Sequence, residues 1–296
     1  MSLLTDTQGT PNRVYALLRL LDEAGAPLPL ETVAGWLVPR NRTENDEVPR
    51  PKDALGQTLG AARSLDLIAD GAPITLKVKT PPTIGEFADL AHRQLCSLNE
   101  ADANGVILRV YAWFVLRADR EAAGLHRVGR EELVAEIDGV FSRVEESEAR
   151  TFNTTKLAPW VRWVSFLGLG TDLPNTPFFP SPVERVRREL RGIAQEMGFD
   201  RSLDFREVQG ELSKRMPYLD GGELFSEMAE RVGWKSRTVS RILSSSVRDL
   251  HLEGEIKLTA LGDSAKRVAF PTDPNDLTGL TGADTIQILE GVPDAV

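Results

Sequence analysis

The chain has 296 residues and a net charge of −9, with 41% hydrophobic and 27% charged residues. That length suits two or three domains rather than one core, and the composition is neither that of a disordered chain nor that of a membrane protein. An acidic surface excludes non-specific nucleic-acid binding by the whole molecule, because such binding is mostly phosphate neutralisation by Lys and Arg, so any nucleic-acid contact needs a localised basic face.

The N-terminus "MSLLTDTQGTPNRV" lacks the basic-then-apolar layout of a signal peptide. No apolar run approaches the roughly 18 residues of a membrane span, so a cytoplasmic location is expected. From Pro11, a good first helical residue, Val14, Leu17, Leu18 and Leu21 form one helical stripe that stops at Gly25. A short helix follows Pro29 with Leu30, Val33, Ala34 and Leu37 inward. Then "RNRTENDEVPRP" reads as a polar loop, and a third helix runs from about Lys52 with Leu55, Leu59 and Ala62 inward. "LDLIADGAPITLKV" resembles the end of a winged helix, where the third helix enters a strand, a turn on Asp70-Gly71, and a returning strand, Ile74 to Val78. The third helix offers Lys52 and Arg63 and otherwise small or apolar residues, a surface suited to meeting protein.

Pro81-Pro82 marks a boundary, after which "IGEFADLAHRQLCSLNE" and "GVILRVYAWFVLRAD" read as helices. Cys96, the single cysteine, reads as a small buried residue, and with His92, His126 and His251 as the only histidines no zinc ligand set can be assembled. Further helices are expected over about 129–144 and 151–167. Trp160 and Trp163 fall on one helix face and read as core rather than as a base-stacking platform, which would need clustered positive charge. "FLGLG" and the extended "LPNTPFFPSP" then repeat the order helix, helix, helix, extended segment.

A third unit opens after Pro182. In "FSEMAERVGWKSRTVSRIL", Ala229, Gly233, Val239 and Ile242 have a spacing that resembles the helix-turn-helix signature: the alanine lets two helices approach, the glycine permits a left-handed turn, and the apolar pair pins the second helix. "TVSRIL" is also similar to the recognition helix of many bacterial regulators. A helix starting near Ser236 buries Val239, Ile242, Leu243 and Leu250 and places Arg237, Arg241, Ser244 and Arg248 on one outer stripe. "HLEGEIKLTALGDSAKRVAF" reads as a strand, a turn at Gly262-Asp263 and a return through Val268 and Phe270, with Lys266 and Arg267 beside the wing tip. From Lys235 to Arg267 seven basic residues face four acids (Asp249, Glu253, Glu255 and Asp263), a net +3 within a −9 chain. The expected DNA-contacting set is Lys235, Ser236, Arg237, Thr238, Ser240, Arg241, Ser244, Arg248, Lys266 and Arg267. The alternative is a protein-docking module whose arginines pair with acids. Past Pro271 the chain holds Asp273, Asp276, Asp284, Glu290 and Asp294 and no Lys or Arg, which reads as a solvated tail or as an acidic strip that competes for the basic face.

No "GxxxxGK[ST]", "HExxH" or "GxSxG" run occurs, and the acids of "GREELVAEIDG" and "VEESEAR" fit solvated helix faces, so no catalysis, metal or cofactor is expected.

The whole layout, a winged unit opening "MSLLTDTQGTPNRVYALLRLLDEAG", a helical middle with paired Trp and a C-terminal winged helix, is similar to the DpdG family of bacterial gene clusters that insert and police deazapurine bases in DNA. The resemblance implies a non-catalytic component of antiviral defence acting beside helicases and nucleases. In layout alone the chain also resembles acidic tandem winged-helix subunits that bind condensin-like complexes. The expected architecture is mainly α: tandem winged-helix units with small β wings, residues 1–80 and 183–271, joined by a helical middle, 83–182, itself a candidate winged unit, and followed by an acidic tail, 272–296. Double-stranded DNA is the expected partner of the C-terminal unit and a protein that of the N-terminal unit. Lacking a heptad run, the isolated chain is expected to be a monomer or weak dimer; a free-standing transcription regulator or a protein adaptor are the alternatives.

Overall fold

The computed structural model describes residues 2–38, 54–99, 102–120, 128–141, 152–173, 176–261, 267–272 and 276–291. The chain divides into two compact units, Met1–Ile107 with Val134–Leu167, and Leu108–Leu133 with Gly168–Val296. The fold is mainly helical with small antiparallel sheets. Among the described residues no helix is long and apolar enough to cross a membrane.

In the first unit α1 (Pro11–Ala24) forms where expected, because Thr10 caps it and Pro11, Val14, Leu17, Leu18 and Leu21 all turn inward. It ends at Gly25, whose φ of 64° is left-handed. A Cβ there would meet nothing within 4 Å, so Gly25→Ala should cost only the backbone penalty, about 1–2 kcal/mol, read as a lower denaturation midpoint. α2 (Leu30–Leu37) buries Val33 alone, while Leu30, expected inward, is 44% exposed and Trp36 is 74% exposed. α3 (Ala54–Ser64) buries Leu55, Thr58, Leu59, Gly60, Ala61 and Ala62, so the small and apolar residues expected to meet a partner are packed within the unit. Lys52 and the loop before it lie outside the described residues. The expected strand pair after α3 is reduced to two isolated bridges, Leu28 with Ile74 and Ile68 with Leu76.

Beyond this, the Tyr15 hydroxyl donates to the carbonyl of Pro82 (2.8 Å), and its ring stacks on Phe87 of α4 (Ile84–Cys96) at 5.5 Å. Cys96, expected to be buried, is half-exposed, with Sγ 3.5 Å from Nε2 of the buried His92. α7 (Thr154–Phe166) buries Trp160 and Trp163 as core, and the Trp160 indole donates to the Ile107 carbonyl at 2.9 Å.

α5 (Val106–Arg120) is buried from Ile107 to Ala118, and its two inward arginines find partners there: Arg109 pairs with Glu227 at 3.0 Å and Arg117 lies over the Trp113 ring at 5.4 Å. The expected series of three helices and an extended segment appears as α5, α6 (Arg130–Phe141), α7 and the hairpin β1 (Gly170–Leu173)–β2 (Thr176–Pro180). Those elements are shared between the two units, with α7 in the first and the hairpin in the second.

In the second unit α8 (Val183–Met197) is followed by β3 (Ser202–Asp204), α9 (Phe205–Arg215), α10 (Glu223–Val232), α11 (Arg241–Leu252) and β4 (Ile256–Thr259). The arginines of α8 are held by acids: Arg187 reaches Glu184, Glu253 (2.5 Å) and Glu255 (2.7 Å), and the buried Arg185 pairs with Glu189. β4 does not pair with the segment through Val268 and Phe270, as the expected wing required. Its partner is β7 (Thr285–Ile288), the central strand of a sheet ordered β3-β7-β4, while β5 (Val268–Ala269) pairs with β6 (Gly282–Ala283). Within the stretch past Pro271, β6 and β7 are therefore paired strands of the unit rather than part of a tail. Ile286 and Ile288 lie in a stretch whose charged residues are all acids, and their burial places β7 in the core. Asp273 and Asp294 lie outside the described residues.

Candidate nucleic-acid interface

α10 ends at Gly233, whose φ of 67° supplies the left-handed turn that the helix-turn-helix spacing anticipated, and the Trp234 amide closes it on the Ala229 carbonyl at 2.8 Å. The second helix, however, begins at Arg241 and not near Ser236. Two long-range contacts hold Val239 and Ser240 out of the helix. The Val239 amide donates to the Ala269 carbonyl (3.1 Å), and Asp220, in the turn before α10, accepts from the Ser240 amide (2.5 Å) and hydroxyl (2.6 Å). Ser240 then caps α11 by accepting from the Leu243 amide at 3.2 Å. Residues 234–240 thus form an arm between α10 and α11.

This displaces the expected stripe. Arg237 precedes the helix, and Ser244 (1% exposed) and Arg248 (6% exposed) turn inward rather than to solvent. Arg248 places Nε 3.4 Å from the Asp276 carboxylate, donates to the carbonyls of Pro271 (3.2 Å) and Leu280 (2.7 Å), and lies over the Phe270 ring at 5.2 Å. The loss of water works against the charge of Asp276, but hydrogen bonds from the Thr278 hydroxyl and amide and the Arg248 charge outweigh it and hold the carboxyl below its usual range. Arg241 is half-buried and donates to the Thr272 carbonyl. Phe270, Pro271, Thr272, Asp276 and Leu280 therefore occupy the side of α11 that the expected stripe offered to DNA.

The rest of the expected set lies on the arm or near β5. Lys235 and Arg237 are exposed and make no hydrogen bond or ion pair among the described residues, in contrast to the paired arginines of α8. Between them Ser236 accepts from the Thr238 amide at 3.1 Å, with the two hydroxyls 3.0 Å apart. Ser240 is wholly buried. Arg267 is half-buried, 3.6 Å from Asp284 and donating to the Leu261 carbonyl. Lys266 and the turn Gly262-Asp263 lie outside the described residues.

A family model for the DpdG-like family matches residues 1–264. The chain belongs to the DpdG-like family. No curated protein and no solved structure matches it. The family match takes in the arm, α11 and β4, while β5, β6 and β7 follow it.

Within this DpdG-like chain, sequence reasoning missed two carboxylates behind the arm. Asp119 Oδ1 accepts from the Arg241 amide (2.7 Å) and Oδ2 from the Trp234 indole (3.2 Å). Its signal was that it is the sole acid of α5, whereas Asp220, in "YLDGG", looks like any turn aspartate. Burial pushes the Asp220 carboxyl up to about 6; the Ser240 hydrogen bonds oppose that rise and the Asp119 charge adds to it. A raised carboxyl contributes stability that is present below the unfolded value of 3.8 and lost as pH rises through about 6. Asp220→Asn should therefore flatten the stability of this unit between pH 4 and 7, measured by denaturant midpoints across that range.

Proposed function

We propose that the chain is a cytoplasmic, non-catalytic accessory component of the bacterial deazapurine DNA modification and defence cluster, and that it contacts duplex DNA through the basic arm. Family membership supports the cluster, since a DpdG-like chain suggests a role there. The observation that carries the contact is the pair of exposed cations Lys235 and Arg237, which have no ion-pair partner among the described residues and are flanked by the hydroxyls of Ser236 and Thr238, whereas Arg185 and Arg187 of α8 are paired with acids. Side chains of these types suit phosphate oxygens, which position a protein on DNA without reading its sequence.

A winged-helix reading of the C-terminal unit is supported by its order, α8, β3, the helices α9 to α11, β4 and a returning β7, with sheet order β3-β7-β4. On that reading β5 and β6 lie within the wing, between β4 and β7. The N-terminal unit docks a protein partner through α2, where Trp36 is 74% exposed. Trp36→Ala should change stability by less than about 0.5 kcal/mol and should reduce capture of cluster proteins co-expressed with the chain.

The DNA reading is tested by fluorescence anisotropy with a short labelled duplex across a salt series. Two phosphate contacts predict a log–log slope near −2, about −0.9 per contact, with little dependence on sequence. A transcription regulator would bind as a two-fold dimer with marked sequence preference, and an adaptor would bind no duplex; either outcome replaces the proposal.

A further inference from the structure

Two carboxylates from distant parts of the second unit flank the junction of the arm with α11, and each accepts two hydrogen bonds from residues 234–241. Asp119, at the end of α5, receives the Trp234 indole and the Arg241 amide; Asp220 receives the Ser240 amide and hydroxyl. Trp234 is further set by edge contact with Phe225 of α10 at 5.3 Å. The arm is thus anchored at both ends, while Lys235, Ser236 and Arg237 between the anchors are exposed. We infer that Asp119 and Asp220 form a paired-carboxylate clamp that positions the basic arm and makes its order respond to protons, the arm being held more firmly when the pair carries one charge than when it carries two.

The chemistry follows from the donors. All four groups facing the pair are hydrogen-bond donors, so an ionised carboxylate satisfies them from either side. If Asp220 takes up a proton, one oxygen still accepts from the Ser240 amide, and the new O–H can donate to the Ser240 hydroxyl oxygen, so the bonds persist while the repulsion between neighbouring anions is removed. The charged groups around Asp220 are Asp119 from α5 and the arm's own cations: α11 presents Ser240 and the Arg241 amide, the Arg241 side chain is turned to Thr272, and Lys235 and Arg237 are exposed. The carboxyl of Asp220, raised from 3.8 to about 6 first by burial, places the change between about pH 4 and 6. Below that range the arm is firmest and has one less negative charge behind it, which also favours an anionic ligand; above it the arm loosens.

The inference rests on the DNA reading for its purpose and is tested separately from it. Amide hydrogen exchange of residues 235–240 in the full chain, corrected for intrinsic rates, should show protection falling as pH rises from 4 to 6.5, by up to about tenfold per pH unit for one linked proton. Asp220→Asn should remove that dependence, and Asp119→Ala should raise exchange at both pH values. The Trp234 indole N–H resonance of the wild-type chain, assigned by its loss in Trp234→Phe, should titrate over the same range and provides a readout that needs no acid variant to fold. Flat exchange together with a non-titrating indole overturns the clamp, as does an Asp220→Asn chain that keeps the wild-type pH dependence. Duplex DNA affinity at matched salt should fall over the same interval in the wild type and stay level in Asp220→Asn. Exchange that behaves as expected in a chain that binds no duplex retains the clamp and rejects the DNA contact.

Discussion

Arg248→Ala should destabilise the C-terminal unit by about 3–5 kcal/mol, the usual result of removing one member of a buried ion pair and leaving the other uncompensated. Three kinds of contact are lost together: the approach of Nε to Asp276, the hydrogen bonds to the carbonyls of Pro271 and Leu280, and the cover over the Phe270 ring. The measurement is the denaturant midpoint, with the slope unchanged to show that the folded unit still exposes the same surface on unfolding. A loss under about 0.5 kcal/mol would place Arg248 in solvent, where the helical stripe read from sequence had put it. The variant should also alter acid behaviour. Asp276 has a lowered carboxyl, so it contributes stability above its unfolded value of 3.8 that is lost as pH falls through the lower folded value; without the Arg248 charge the folded value rises toward 3.8 and the acid-dependent loss becomes smaller.

Truncation after Thr272 should be more damaging still. It removes β6 and β7, and β7 is the central strand: its backbone pairs with β3 through Leu203 and Asp204 and with β4 through Ile256 to Thr259. Without it both strands lose their ladder partner, and the buried faces of Ile256, Leu258 and Leu203 lose Ile286 and Ile288. Two unpaired short strands do not hold in water. Amide protection in β3 and β4 should collapse to that of an unfolded chain. Retained protection would mean that these strands stand without β7 and that the acidic segment is a tail after all.

What was legible in the sequence was what local chemistry decides. α1 starts at Pro11 and stops at Gly25 because a cap, a fixed φ and a left-handed glycine act within a few residues, and the inward stripe of Val14, Leu17, Leu18 and Leu21 follows from a 3.6-residue period. Gly233 was legible for the same reason. The start of α11 was not, because the forces that keep Val239 and Ser240 out of the helix come from Ala269 and Asp220, outside the window in which a helix period is judged. Arg248 was misplaced likewise. Its spacing from Arg241 is helical, but its partners lie in the segment past Phe270, whose acidity masked the alternating burial of Ile286 and Ile288. Of the candidate site, Lys235 and Arg237 were legible as cations near a helix-turn-helix spacing; the carboxylates behind them were not, since Asp119 belongs to a different helix more than a hundred residues earlier.

The central claim is that the arm, not the side of α11, meets DNA. Its most direct test is the double charge reversal Lys235→Glu and Arg237→Glu, compared with wild type by anisotropy on one duplex at matched low salt, with melting temperatures recorded for both. Two exposed side chains contribute little to folding, so the melting temperature should hold while duplex binding is lost and the salt slope falls toward zero. Wild-type affinity in the double variant, with an unchanged melting temperature, would contradict the assignment of the arm as the DNA contact.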